Sequence, residues 1–467
     1  SMDKYSTQLL DNAKAYSSTA IAVISRTCHE NNDLPNIQTK AGPGQVTDET
    51  RHYLEISTEE EEMLTYLGKN YEKVIVVINA GNIMELDFMD RIPGLDACVY
   101  VGVTGTQAAS SIPSLLYGDK SFSGKLVDTI PYSFNDHPAS YSTWFGANNY
   151  AGSDIGGIDY VEGIYVGYKW FETADKENYF KDLSVTYNVL EENGKTHQET
   201  KKGYDAAVKF PFGFGLSYTE FEWEIESFTS TSEYITKDTE FTYEVIVTNV
   251  GNRKGKDVVE LYYTAPYLNG IEKSSINLGD YAKTGLLKPG ESEIVTLSID
   301  AYDMASYDAY DKNENGFKGY ELDGGEYKLK LLRNVHETPS EDLTIKYNVD
   351  AKGIKFEVDP NSKNEVKNRF TDEGCSNNIP IDGNPINGEK TYNYLTRKDF
   401  KNTFPNTTAK AKTTNGAITS EDNEKFTELP KFGVNHDLYL YTDKSGNKLS
   451  ESQLKSPDGN IVSINKE

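Results

Sequence analysis

The chain has 467 residues, too long for one typical core, so two or three domains are expected. Its formal net charge is -26, and such a surface repels phosphate backbones and anionic lipid, which argues against nucleic acid as a partner and suits a neutral or cationic ligand. No run of about 18 apolar residues occurs, so no membrane-spanning helix is expected, and Cys28, Cys98 and Cys375 lie too far apart for a disulfide framework or a zinc site.

Residues Asp3–Ser18 carry Tyr5, Leu9, Leu10 and Ala13 at helical spacing. Ile21–Ile24 is a short β-branched run, which predicts a buried strand. The chain then turns polar at Thr27, Cys28, His29, Glu30, Asn31, Asn32 and Asp33. In an open α/β sheet, the loop leaving the carboxyl end of a strand gathers ligands and catalytic groups. A loop holding Arg26, His29, Glu30 and Asp33 is therefore a site candidate, although a solvated βα loop has the same composition.

Ser57 ahead of Glu59, Glu60 and Glu61 marks a helix start, with the helix running to about Asn70. Val74–Asn79 is a continuous apolar strand of the kind buried on both faces. A short helix over Met84–Asp90, a strand over Ala97–Val101 and a helix ending at Leu116 follow. This alternation predicts a mostly parallel α/β sheet over residues 1–130. The sheet is thin and opens on a helix, so its first units are expected outside the chain, leaving an unpaired edge and an uncovered apolar face. Ser1-Met2 resembles a cloning remnant, so the beginning of the chain says little about what precedes it.

Pro131–Gly157 reads as a long irregular loop, and Tyr160–Phe171 as a polar-aromatic segment. Lys176–Lys209 predicts a hairpin with one strand at Val185–Leu190. Phe210–Tyr218 (FPFGFGLSY) reads as a buried connector or turn. From Phe221 the apolar period becomes two, with strands expected at Phe221–Phe228, Glu240–Asn249, Asp257–Thr264, Lys283–Leu287, Glu293–Ile299 and Glu326–Leu332. Short strands at this spacing indicate a β-sandwich. Asp350–Glu467 is poor in apolar residues and reads either as an extended arm packing on something larger, with sparse anchors such as Tyr394-Leu395, Phe400 and Phe404, or as partly disordered. The expected domains are thus 1–220 (partial α/β sandwich with connector), 221–350 (β-sandwich) and 351–467 (arm).

Three further motifs stand out. Asp311, Asn313, Asn315 and Gly316 match the first half of a calcium loop, but the twelfth position, normally a bidentate Glu, is Leu322, with Glu321 just before it. An Asn/Gly-rich hairpin turn reads the same residues without an ion. Asn406-Thr407-Thr408 is a glycosylation sequon. Gly102-Val-Thr-Gly105 before a helix is either an anion cradle or a plain turn. The abundant Tyr, 33 in all, suits sugar binding as well as strand formation.

The segment ISRTCHENNDLP resembles the loop of glycoside hydrolase family 3 written I-[SG]-R-x-x-G-E-G-x-D. VIVVINAGNIMELDFMD, GDKSFSGKLVDTIP, YVEGIYVGYKWFET, FPFGFGLSYTEFE and VTNVGNRKGKDVVELYY follow in the same order. LKPGESEIVTLSI, DMASYD and LDGGEYKLKL are similar to the family's fibronectin type III-like part, so the resemblance covers roughly Ala20–Leu332. It implies a retaining, exo-acting β-glucosidase-type hydrolase acting on an oligosaccharide or β-glucoside, with no cofactor. Glu30 falls on the general acid/base, and Arg26, His29 and Asp33 on loop-positioning sites. The Asp nucleophile is expected on a (β/α)8 barrel outside this chain. NRFTDEG and YLTRKDFKNTFP resemble the connector of the branch in which the barrel comes last. His29 and Asn31 stand where the family has glycine, and only glycine takes positive φ freely, which also leaves open a non-catalytic carbohydrate-binding or scaffold module. The resemblance and the acidic composition together suit a secreted or surface-anchored parent.

Overall fold

The computed structural model describes residues 5–26, 34, 38–39, 46–48, 50–105, 110–140, 162–190, 196–268, 270–337, 341–366 and 395–405. Helix α1 (Thr7–Tyr16) is capped by Ser6, whose hydroxyl accepts from Leu9 N–H. It buries none of its residues. Strand β1 (Thr19–Arg26) alternates buried Ala22, Ile24 and Arg26 with exposed Ile21, Val23 and Ser25. Two short strands, β2 (Gln38–Thr39) and β3 (Val46–Asp48), pair antiparallel.

Helix α2 (Thr58–Asn70) begins where its sequence says it should. The Ser57 side chain accepts from Glu60 N–H, and Glu60 returns the bond to Ser57 N–H. This capping box satisfies two donors that a helix start otherwise leaves open. Strand β4 (Lys73–Ala80) pairs parallel to β1 from Thr19↔Lys73 to Arg26↔Ala80. Its Val76, Val77 and Ile78 are buried on both faces, as a central strand requires. After α3 (Phe88–Arg91), strand β5 (Ala97–Tyr100) completes a three-stranded parallel sheet in the order β1-β4-β5. In this sheet β1 is an edge, and Ile21 and Val23 are 55% and 56% exposed.

Helix α4 (Ser111–Leu116) is followed by β6 (Ile130–Pro131), which pairs antiparallel with the later β9. Helix α5 (Tyr168–Lys176) was not anticipated from the sequence, where Tyr160–Phe171 read only as polar-aromatic. Gly163 and Gly167, both at positive φ, break the pattern just ahead of it. Its Trp170, Phe171 and Ala174 are nonetheless fully buried, and burial of such aromatic side chains contributes about 1.5–3 kcal/mol each. The expected hairpin forms from β7 (Ser184–Leu190) and β8 (Thr196–Lys202), and α6 (Tyr204–Ala207) and β9 (Val208–Phe210) follow. The connector after β9 is less buried than expected, with Leu216 75% exposed.

The second part is a two-sheet sandwich. One sheet holds β10 (Phe221–Ser230), β11 (Glu240–Asn249) and β14 (Ser292–Asp300) in that order. The other runs β13-β12-β17-β18, from β13 (Asn277–Lys283), β12 (Val258–Thr264), β17 (Gly325–Leu332) and β18 (Thr344–Val349). Strand β11 sends Phe241, Tyr243, Val245 and Val247 into the core, where Val259, Leu261, Leu329 and Leu331 meet them. A side sheet joins β15 (Ser306–Asp308), β16 (Gly319–Leu322) and β19 (Ile354–Phe356). The strand expected at Lys283–Leu287 lies instead at Asn277–Lys283. This edge strand is polar and barely buried, so it carries no apolar alternation, and Leu287 makes only an isolated bridge to Gly255.

Strand β12 is buried on both faces. Its outer residue Tyr262 joins Ile276, Leu332 and Val335, with Tyr168 and Phe212 of the first part packed against them. The Tyr262 hydroxyl donates to Glu260, whose carboxyl is pushed up to about 7 by burial. Part of the presumed arm returns to this junction. Leu395 and Phe400, the latter on α7 (Phe400–Thr403), are buried among Tyr165, Trp170, Phe171 and Phe180. Arg397 donates to Glu177 at 2.8 Å and to the Lys273 carbonyl at 3.1 Å. Within the expected arm, residues 395–405 are anchored by two apolar side chains and one arginine. The sequon at Asn406 lies outside the described residues.

A second contact across the junction titrates. His336, just beyond β17, stacks on Tyr204 with centroids 3.5 Å apart, and its Nδ1 lies 2.8 Å from Glu172 Oε2. Burial lowers the His336 pKa, but the hydrogen bond and charge of Glu172, with Asp175 and Asp205, outweigh it and leave the pKa raised. A raised histidine pKa stabilises the fold fully below the unfolded value of 6.5 and loses that contribution as pH rises through the folded value. The stability that this contact contributes is therefore expected to fall as pH rises above 6.5. His336→Gln should lower Tm at the acid end and flatten that fall in melts across pH, whereas parallel curves would contradict the assignment.

Candidate active site

The carboxyl ends of β1 and β4 meet the segment 51–57 and the start of α2 here. Arg26, the last residue of β1, is buried, and its guanidinium makes five hydrogen bonds among the described residues. Nε donates to the Tyr53 carbonyl at 2.6 Å, Nη2 to the Glu55 carbonyl at 2.5 Å, and Nη1 to the Ser25 carbonyl at 2.8 Å. Nη1 and Nη2 also grip the two Glu60 oxygens at 2.9 and 2.8 Å. A planar fork of this kind matches a carboxylate in two places at once, which lysine cannot do. Glu60 is the same residue that closes the capping box, so one carboxylate ties the strand end to the helix start.

Sequence reasoning missed the residues beside this clamp. Gln38 Nε2 donates to the carbonyls of His52 and Glu55 at 2.7 and 2.9 Å. His52 Nδ1 accepts from Leu54 N–H, which leaves the proton of the neutral ring on Nε2, 3.0 Å from Glu85 Oε1. Glu85 also accepts from Phe134 N–H at 2.6 Å. The signal that could have found Glu85 is an acidic residue inside the apolar run Ile83-Met84-Glu85-Leu86, just after a buried strand.

The rim raises carboxyl pKa values. Burial pushes Glu55 up, with His52 opposing it and Glu85 adding to it. Burial and then Glu85 push Asp136 up to about 6. Burial alone pushes His137 down to about 4, and the ring accepts from Gly167 N–H at 2.9 Å. His52, Glu55 and Glu85 bring three potential metal-ligating atoms within 4.8 Å of one another, the sole such group among the described residues. Each of those atoms already has a protein hydrogen-bond partner, so the group stands without an ion.

Of the residues singled out from the sequence, Arg26 is placed at this rim, and His29, Glu30 and Asp33 lie outside the described residues. Asp311, Asn313 and Asn315 sit in the other part of the molecule, between β15 and β16. No helix among the described residues is long and apolar enough to cross a membrane.

The described residues thus combine a parallel α/β layer with a polar carboxyl-end rim and a two-sheet β-sandwich. Residues 5–168 match the model of the glycosyl hydrolase family 3 C-terminal domain, and residues 257–334 that of a fibronectin type III-like domain. Beta-glucosidase A of Butyrivibrio fibrisolvens is 29% identical over 394 residues, 80% of this chain and 42% of that protein. A beta-glucosidase of Ruminococcus albus is 30% identical over 68% of this chain and 27% of its own length. The solved structure of a beta-glucosidase from Paenibacillus barengoltzii matches with a TM-score of 0.55 at 30% identity, covering 74% of this chain and 32% of that one. The chain thus spans less than half the length of these relatives.

Removing the Arg26 side chain strands the Glu60 carboxylate and the carbonyls of Tyr53 and Glu55. Arg26→Ala is expected to cost about 2–3 kcal/mol, and Arg26→Lys to recover only part of it, as read from urea denaturation.

Proposed function

We propose that this chain supplies the general acid/base of a retaining, exo-acting β-glycosidase, with Glu30 as that group and the Asp nucleophile on a (β/α)8 barrel outside the chain. The observation that carries the reading is the Arg26 clamp at the end of β1. Glu30 follows Arg26 by four residues in the sequence, within the stretch matched to the family domain. The relatives, named as beta-glucosidases, are more than twice the length of their aligned part, which leaves room for a barrel.

In a retaining hydrolase one carboxyl protonates the leaving oxygen while a second attacks the anomeric carbon. The first then takes a proton from the water that releases the sugar. A group with both duties needs a pKa above the usual carboxylate range. The rim beside Arg26 is a setting of that kind, since burial and the Glu85 charge raise Glu55 and Asp136. Arg26 is the positioning residue, because it holds the backbone at Tyr53 and Glu55. Asp33 and His29 are assigned to the loop's own shape.

The isolated chain is expected to leave aryl β-glucosides intact. In a longer form carrying the barrel, Glu30→Gln should lower kcat by about 10²–10⁴-fold. Turnover should be best preserved on substrates whose leaving group needs no proton. Hydrolysis by the isolated chain, or an unchanged rate in Glu30→Gln, would defeat the assignment. Sugar binding without turnover in the longer form would favour the non-catalytic module to which His29 and Asn31, in place of glycine, point.

A further inference from the structure

The turn between β15 and β16 is independent of the glycosidase reading. Asp311, at φ +57°, accepts from Gly316 N–H at 3.0 and 3.1 Å, which closes the loop. Strand β16 then points two consecutive buried residues in opposite directions. Leu322, at the twelfth position of the loop, belongs to the sandwich core. Glu321, one place earlier, faces the loop instead. Its Oε2 accepts from Asn313 Nδ2 at 2.9 Å and Asn315 Nδ2 at 2.5 Å. The third and fifth positions of the motif therefore converge on an acid, and the missing twelfth ligand is supplied from the eleventh.

The second observation is that Glu321 is only 2% exposed, and its other oxygen, Oε1, is buried with no hydrogen-bond partner. A buried carboxylate oxygen without a donor or a counter-charge is destabilising. The neighbouring acids are provided for. Asp308 accepts backbone N–H groups of Tyr310 and Lys312, and Asp323 pairs with Lys273 at 2.6 Å. Glu321 has no ion pair among the described residues. Lys355, directly across the ladder from it, sends its Nζ to the Asn315 carbonyl at 2.8 Å.

We propose that Asp311, Asn313, Asn315 and Glu321 form a calcium site in the fibronectin type III-like domain. All the donors are hard oxygens, which suits Ca²⁺ better than the smaller, stricter Mg²⁺ or a soft metal. Bound Ca²⁺ would be ligated by the unpartnered Glu321 Oε1 and by the amide oxygens of Asn313 and Asn315, which otherwise accept Asn315 N–H at 3.2 Å and Phe317 N–H at 2.8 Å.

The test is a calorimetric Ca²⁺ titration of the full 467-residue chain after chelator treatment, paired with thermal melts. One equivalent of Ca²⁺ should bind, raise Tm, and outcompete Mg²⁺ by at least about tenfold. Glu321→Gln and the double variant Asn313→Ala/Asn315→Ala should each weaken Ca²⁺ by about tenfold or more. In chelator, Glu321→Gln should melt no lower than wild type, since the amide relieves a buried charge. No binding at about 5 mM Ca²⁺, or equal affinity in the wild type and the folded variants, would overturn the proposal. The latter result would place the ion elsewhere on the acidic surface. If Glu321→Gln fails to fold, the asparagine pair decides.

Discussion

The bidentate pairing of Arg26 with Glu60 is the joint on which the first domain turns. Strand β1 ends on a charge that its own sheet cannot satisfy, and α2 begins on a carboxylate already committed to its capping box. Each group is costly alone in a half-buried setting, and each is the other's best partner. The remaining guanidinium bonds fix the carbonyls of Ser25, Tyr53 and Glu55, so the backbone on both sides of the rim is set by a single side chain. In the proposed reading such a fixed point matters, because a misplacement of about 1 Å at a reacting group can cost orders of magnitude in rate.

The two domains are joined through side chains that face away from the sandwich core. Strand β12 gives Val259 and Leu261 to its own domain and turns Tyr262 outward onto Tyr168 and Phe212. The His336–Tyr204 stack, the Glu172 contact and the returning segment 395–405 lie along the same junction. Tyr165 illustrates the economy of the arrangement. It packs edge-on against Phe400, and its hydroxyl donates to Glu272, which also accepts from the Thr396 hydroxyl and from Arg397 N–H. Buried polar groups at this seam are paired across domains, which gives the seam specificity beyond apolar contact.

Local signals were legible wherever one residue's chemistry decides a conformation. Ser57 and Glu60 announced the start of α2, the continuous run Val74–Asn79 announced a doubly buried strand, and the alternation of Glu240–Asn249 announced a sandwich strand. Helix α5 was hidden because glycines interrupt the pattern ahead of it, and β13 because an edge strand has little apolar face to display. The mixed α/β layer followed by a fibronectin-like sandwich was thus readable, down to most strand boundaries.

Arg26 and Glu60 were each visible in the sequence, and nothing in their spacing of 34 residues said that they meet. The same holds for His52 and Glu85, for His336 and Tyr204, and for Glu321 turning toward the Asp311 loop while Leu322 enters the core. The sequence by itself determined which segments are helix or strand and which loop carries ionisable groups, because those depend on neighbours along the chain. Which charges become partners, and which buried acid is left without one, was decided only by tertiary structure. Those outcomes depend on distances and dielectric surroundings that exist only once the sheets have packed.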